Sequence, residues 1–139
     1  MAKIALDSSV IIYFFGVAGQ FQDRAAELIA TGNSGAELIV SELTFLELLA
    51  KSNFSDIEAQ GLYEQSQKLP LRAQPVAIAV LLRAAKLRRQ HNSIKTPDAI
   101  HLATAILRGC DYFVTNDHKL LKQKIPGIAL ISLAKPFKV

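Results

Sequence analysis

The sequence contains one cysteine, Cys110, so no internal disulfide can form. The fold then needs no oxidising compartment, and the cytoplasm is the default location. No apolar run is long enough to span a bilayer. The apolar stretch from Val10 to Gly19, with Lys3 upstream, loosely resembles a signal peptide. Asp7 interrupts its approach, and Ile4-Ala5-Leu6 reads better as a buried strand. There is no internal repeat, linker or low-complexity tract. No paired histidines or cysteines stand at ligand spacing, which argues against a zinc site. No Ser-His-Asp or Cys-His arrangement supplies a protein nucleophile. Cys110 follows Arg108-Gly109 at a helix-to-strand junction without a catalytic motif around it, and reads as a small buried filler.

What is present is a globular composition. The 139 residues are 50% hydrophobic and 20% charged, which fits one soluble domain over 1–139. A domain of this size buries about 68–70% of its unfolded surface, enough for a real core. The formal net charge of +4 favours anionic partners, nucleic acid among them, and gains force only if the acids cluster.

Short apolar strands are expected at Ile4–Leu6, Leu38–Val40, Tyr112–Thr115 and Ile128–Ile131. Helices are expected at Val10–Phe15, Gln22–Ala30 and Glu42–Lys51, the last capped by Ser41. Another starts at Ser55 or Asp56 and ends before Leu69-Pro70, and a long one runs from Pro75 to about Gln90. Thr96-Pro97-Asp98 is the clearest helix start: Thr96 can cap, Pro97 suits the first position, and Asp98 falls in the first turn. Ile100, Ala103, Thr104 and Leu107 line one face of that helix, which Gly109 closes. A short helix over Lys119–Lys124 follows. Alternating strands and helices predict an α/β domain with a mainly parallel sheet.

Open parallel sheets bind ligands beyond the carboxyl ends of their strands. Asp7 directly follows the first strand, and Asp117 follows Tyr112–Thr115. Glu47 lies on the second turn of the helix after Leu38–Val40. Asp98 opens a helix whose start is near or far from that edge depending on connectivity. Converging carboxylates repel one another, and hard divalent cations such as Mg²⁺ and Mn²⁺ relieve the repulsion. Such ions activate water for phosphodiester cleavage without a protein nucleophile. Each acid also has an ordinary reading. Asp7 caps a helix, Asp98 meets a helix dipole, Glu47 pairs with Lys51 at i, i+4, and Asp117 is a turn residue.

The local contexts carry a family resemblance. Ile4-Ala5-Leu6-Asp7-Ser8-Ser9-Val10-Ile11 is the first matching stretch, and Val40-Ser41-Glu42-Leu43-Thr44-Phe45-Leu46-Glu47 the second. The third, and most distinctive, is Thr96-Pro97-Asp98-Ala99-Ile100-His101-Leu102-Ala103-Thr104-Ala105. The last is Tyr112-Phe113-Val114-Thr115-Asn116-Asp117. Together, in this order, they resemble PIN-domain ribonucleases, and among them the compact VapC-type toxins of bacterial or archaeal type II toxin–antitoxin systems. The resemblance implies a three-layer α/β/α sandwich on a sheet of four or five strands. It implies an Mg²⁺ (or Mn²⁺) site held by Asp7, Glu47, Asp98 and Asp117, which hydrolyses RNA. Ser9, Thr115 and Asn116 would form a supporting shell. A cognate antitoxin and a homodimer are the implied protein partners.

There are departures. Some members carry a further acid where Lys119 stands, and Ser9 replaces a frequent asparagine. Lys119 is either a solvated lysine or a phosphate contact. The basic run Arg83, Lys86, Arg88 and Arg89 is either a solvated face or an RNA contact made through Arg83, Lys86 and Arg89. His101 either orients Asp98 or simply packs near the sheet. Two other functions compete: a catalytically weak PIN-like binding subunit, and a receiver-type phosphoacceptor domain. The receiver needs paired acids after its first strand, where Ser8-Ser9 stands here. A haloacid-dehalogenase-type phosphatase would need a second Asp at Ser9.

Overall fold

The computed structural model describes residues 2–136. Five strands, β1 (Lys3–Leu6), β2 (Glu37–Ser41), β3 (Arg72–Gln74), β4 (Tyr112–Thr115) and β5 (Ala129–Ser132), form one sheet in the order β3-β2-β1-β4-β5. Every pairing is parallel. Parallel strands need crossovers, which the helices supply. These are α1 (Ser8–Phe14), α2 (Gln20–Ala30), α3 (Leu43–Leu49), α4 (Asp56–Ser66), α5 (Ile78–Gln90), α6 (Thr96–Leu107) and α7 (His118–Leu121), with a 3₁₀ turn at Thr31–Asn33.

The two-residue period of the strands sorts their side chains into two cores. Ala5, Ile39 and Phe113 face one side, where they pack with Val80, Ala84 and Leu87 of α5 and Leu102 and Ala103 of α6. Ile4, Leu6, Leu38, Val40 and Val114 face the other, against Val10 and Ile11 of α1 and Ala25, Leu28 and Ile29 of α2. Covering on both faces explains why the strands read as continuous apolar runs rather than alternating ones. The result is the expected three-layer α/β/α arrangement.

Several local expectations need correction. The edge strand β3 is absent from the sequence reading, because Arg72-Ala73-Gln74 carries no apolar signal. It pairs through its backbone with Ile39, Val40 and Ser41, and Arg72 meets Glu37 of β2 at 3.5 Å. The helix expected from Pro75 begins at Ile78. Thr96 is the first residue of α6 rather than its cap; Lys95 holds the cap position. Leu107 is exposed, while Ala103 and Thr104 are buried.

Cys110 is buried, and burial pushes its thiol up to about 11. It is therefore uncharged at neutral pH, as a filler should be. Gly109 does end α6, with φ +69°, and a Cβ there would meet nothing within 4 Å. Only backbone strain opposes a side chain. Gly109→Ala should therefore lower unfolding stability by about 1–2 kcal/mol, read as a fall in the urea midpoint at constant slope.

Candidate active site

The strand order reverses beside β1. The chain lays down β1, β2 and β3 in one direction, then places β4 on the other flank of β1. The connection leaving β1 enters α1 on one face of the sheet, and Leu120 of α7, after β4, packs on the other. Diverging connections open a crevice at that edge, where parallel sheets receive ligands.

Asp7 is the first residue beyond β1. Its backbone N–H donates to Val114 O at 2.9 Å, extending the ladder with β4. It occupies the cap position of α1, yet its carboxylate makes no cap hydrogen bond. The side chain is instead held across the sheet. Thr115 Oγ1 donates to Oδ2 at 2.7 Å, Ser9 Oγ donates to Oδ2 at 3.3 Å, and Ser8 Oγ donates to Oδ1 at 3.4 Å. Asp7 is 5% exposed, and a carboxylate this buried needs such donors. The capping reading of Asp7 is thus overturned.

Thr115 also accepts the backbone N–H of Asp117 at 3.1 Å. One hydroxyl therefore joins the ends of β1 and β4. Thr115→Val keeps the shape but strands the Asp117 N–H and takes a donor from Asp7. It should cost about 1–3 kcal/mol of stability, measurable by chemical unfolding.

Asp117 does cap a helix. Its Oδ1 accepts from Lys119 N at 2.9 Å and Leu120 N at 3.2 Å. Oδ2 has no hydrogen bond among the described residues. Asn116 lies between Thr115 and Asp117 but bonds elsewhere. Its Nδ2 donates to the Tyr13 hydroxyl at 3.0 Å, and its Oδ1 is buried with no hydrogen-bond partner among the described residues. Of the expected supporting shell, Ser9 and Thr115 touch an acid, and Asn116 has no hydrogen bond to one.

Asp98 sits in the first turn of α6. That helix feeds β4 through the tight turn at Gly109, so it runs back along the sheet and starts at the crevice edge. Its carboxyl is raised to about 6 by burial first, then by the charges of Asp7 and Asp117, with Glu47 adding and His101 opposing. A helix N-terminus ordinarily favours the anion; here burial and three neighbouring carboxylates prevail.

Glu47 does not form the surface pair with Lys51. Its partner is His101, whose Nε2 lies 2.5 Å from Glu47 Oε1 and 3.9 Å from Asp7 Oδ1. Burial pushes the Glu47 carboxyl up, but the hydrogen bond and charge of His101, with a hydrogen bond from Ser8, bring it below its ordinary value. His101 is the residue that sequence reasoning underplayed. It shares a face of α6 with Asp98, three residues earlier, but nothing local indicated a partner 54 positions away.

The donor set suits a hard divalent ion: carboxylate oxygens only, repelling one another. Among the described residues, however, no three His, Cys, Asp or Glu side chains already form a group able to hold an ion. Mg²⁺ tolerates this, because it keeps several waters and needs only one or two direct carboxylates. Asp7, with Asp98 and the open oxygen of Asp117, is the fitting combination.

Of the basic residues, Lys119 lines a small cleft with Lys95, Ser93, Asp98, Asp117 and Gln123. Arg83 and Lys86 line a separate groove with His91, Ile106 and Ile125, which none of the four acids enters. Arg89 is exposed at the end of α5. No helix among the described residues is long and apolar enough to cross a membrane.

Comparison with known proteins gives a consistent picture. The chain aligns with a toxin–antitoxin complex from Klebsiella pneumoniae at 20% identity and TM-score 0.69, covering 98% of this chain and 99% of that one. VapBC2 from Rickettsia felis, bound to a fragment of its promoter DNA, aligns at 17% identity and TM-score 0.72, covering 94% and 98%. VapC20 from Mycobacterium tuberculosis, a sarcin-ricin loop cleaving toxin, aligns at 14% identity and TM-score 0.64, covering 79% and 86%. These likenesses concern the fold. No curated protein sequence matches the chain. The PIN-domain family model matches residues 4–125, which takes in all four acids, and the chain belongs to the PIN-domain family.

Proposed function

We propose that this protein is a divalent-metal-dependent endoribonuclease, a single domain acting as the toxin of a toxin–antitoxin pair. The observation that carries the reading is the electrostatic convergence at the switch point. Asp98 holds its proton to about pH 6 because it is buried and because Asp7, Asp117 and Glu47 stand near it. Four carboxylates drawn together at a cost in repulsion mark a functional site.

Asp7, Asp98 and Asp117 hold the ion, and Glu47 orients the attacking water. Bound there, Mg²⁺ or Mn²⁺ would lower the pKa of a water and offset charge on the cleaved phosphate. Thr115 and Ser9 fix the Asp7 carboxylate, leaving it one direction in which to reach. Lys119 and Lys95 contact phosphate beside the acids, while Arg83, Lys86 and Arg89 contact RNA further along the backbone. These cationic contacts weaken with salt. The RNA substrate class, the antitoxin and a second copy of the chain as partners, and a cytoplasmic location all belong to this reading. The solved VapBC assemblies support the antitoxin. Exposed Ile78, Leu81 and Leu82 on α5, and Leu46 and Ile57 on α3 and α4, offer apolar surface for such contacts.

One observation favours a catalytically weak binding subunit instead: no three ligating side chains are already gathered among the described residues. Incubating antitoxin-free protein with total cellular RNA, with Mg²⁺, with Mn²⁺ and with excess EDTA, tests both. Discrete fragments that require metal support the nuclease. No cleavage, together with no divalent-ion binding by calorimetry, supports the binding subunit.

A further inference from the structure

We propose that His101 is a positioning residue that reserves Glu47 from the ion-holding set, dividing the four acids into three aspartates for the metal and one histidine-held carboxylate for water. The inference rests on the nuclease reading and adds a division of labour within it.

Three observations carry it. First, His101 is 2% exposed, on α6, with Leu102, Ala103 and Ala105 buried beside it. Its ring therefore has little freedom to follow a moving partner. Second, its Nε2 lies 2.5 Å from Glu47 Oε1, whereas Asp7 Oδ1 is at 3.9 Å. A carboxylate can only accept, so Nε2 carries the proton and donates to Glu47. Third, Nδ1 is buried and has no hydrogen-bond partner among the described residues. All of the ring's hydrogen bonding is thus spent on one acid.

The geometry has a chemical consequence. An oxygen that accepts a short, charge-assisted hydrogen bond presents less charge to an ion. Oε1 is committed to His101, and only Oε2 faces elsewhere. Glu47 is held by a hydrogen-bond donor, while Asp98 shares a cleft with Asp117. An incoming cation is drawn to the acids whose repulsion it relieves, and those are Asp98, Asp7 and Asp117.

The test compares His101→Leu, His101→Gln and Glu47→Gln in full-length, antitoxin-free protein. Mn²⁺ affinity is measured by calorimetry, and kcat and KM are measured on an RNA that the wild type cuts. The Gln side chain retains an N–H donor of similar reach; Leu does not. His101→Leu should lower kcat about 10–100-fold with KM little changed, as for loss of an outer-shell partner. It should also tighten Mn²⁺ binding, because the freed Glu47 joins the ion. His101→Gln should recover most of the lost kcat and restore the wild-type Mn²⁺ affinity. Glu47→Gln should lose cleavage yet keep Mn²⁺ affinity within about twofold, well below the roughly 10–100-fold that losing even an outer-shell partner of a ligand costs.

If His101→Leu and Glu47→Gln weaken Mn²⁺ binding as much as they weaken kcat, Glu47 is an ordinary ligand and the division is wrong. If His101→Leu melts early and His101→Gln melts like the wild type but stays as inactive as Leu, the histidine is structural only, and the proposal fails. Neither result touches the nuclease reading. That reading fails on a different outcome, a wild type that neither binds Mn²⁺ nor cuts RNA.

Discussion

Asp7→Asn should abolish metal-dependent RNA cleavage while leaving the protein folded. Asparagine keeps the size of the side chain and can still accept from Thr115 through its carbonyl oxygen. It removes the negative charge and gives up one acceptor oxygen, so either Thr115 or the ion must lose its contact. Ion chemistry supplies several kcal/mol of transition-state stabilisation at such a site. At 1.36 kcal/mol per factor of ten, its loss is worth at least about 10²–10³-fold in rate. The variant also serves as the contamination control, because a co-purifying nuclease would survive the substitution. Initial rates on one labelled RNA, with circular dichroism to verify folding, give the answer. A variant retaining more than a tenth of the wild-type rate would remove Asp7 from the chemistry.

Asp98→Asn should show activity and stability moving in opposite directions. The Asp98 carboxyl is raised from 3.8 to about 6 in the folded protein. The folded state therefore holds a proton that the unfolded chain has released, in the window between those values. The contribution of Asp98 to metal-free stability is greatest below pH 4, falls as pH rises through the window, and stays low above pH 6. A shift of this size, discounted because Asp98 is only partly buried, is worth about 1–2 kcal/mol. Asparagine escapes that penalty. In excess EDTA at pH 7.5, Asp98→Asn should melt roughly 3–8 °C above the wild type, and the gap should close by pH 4. Added Mg²⁺ should raise the wild-type melting temperature more than that of the variant. RNA cleavage should be lost. A variant that melts below the wild type in EDTA at pH 7.5 would mean that burial and neighbouring carboxylates do not penalise the Asp98 charge.

What the sequence disclosed follows from where the physical signal lies. Strands buried on both faces advertise themselves as apolar runs, so β1, β2, β4 and β5 were legible. The edge strand β3 is held by backbone bonds and by Arg72–Glu37, which leave no hydrophobic trace. Asp7 and Asp117 were legible as candidate site residues because they follow strands. Glu47 and Asp98 were legible chiefly through the contexts that resemble a family, since each has a sound local explanation. The Glu47–Lys51 explanation failed because α3 packs near α6, bringing a histidine within reach. Asn116 was expected in the supporting shell from the resemblance, and its amide bonds to Tyr13 instead. Burial, hydroxyl bridging and partner choice are tertiary properties; spacing cannot encode them.

The central place of β1 in the sheet has a consequence for the nascent chain. Its partners are β2 and the distant β4, with Ile4 opposite Tyr112 and Asp7 bonded to Thr115 across 108 positions. A chain emerging from the ribosome exposes Asp7 and Glu47 early. Neither the Thr115 hydroxyl nor Asp117 exists until nearly the whole fold has been made. Contacts this distant in sequence form late and slowly. The candidate site is thus completed by the crossover into β4 rather than by the first, and a truncated product lacking β4 lacks both Thr115 and Asp117. Synthesis itself imposes an interval during which the four acids cannot yet meet.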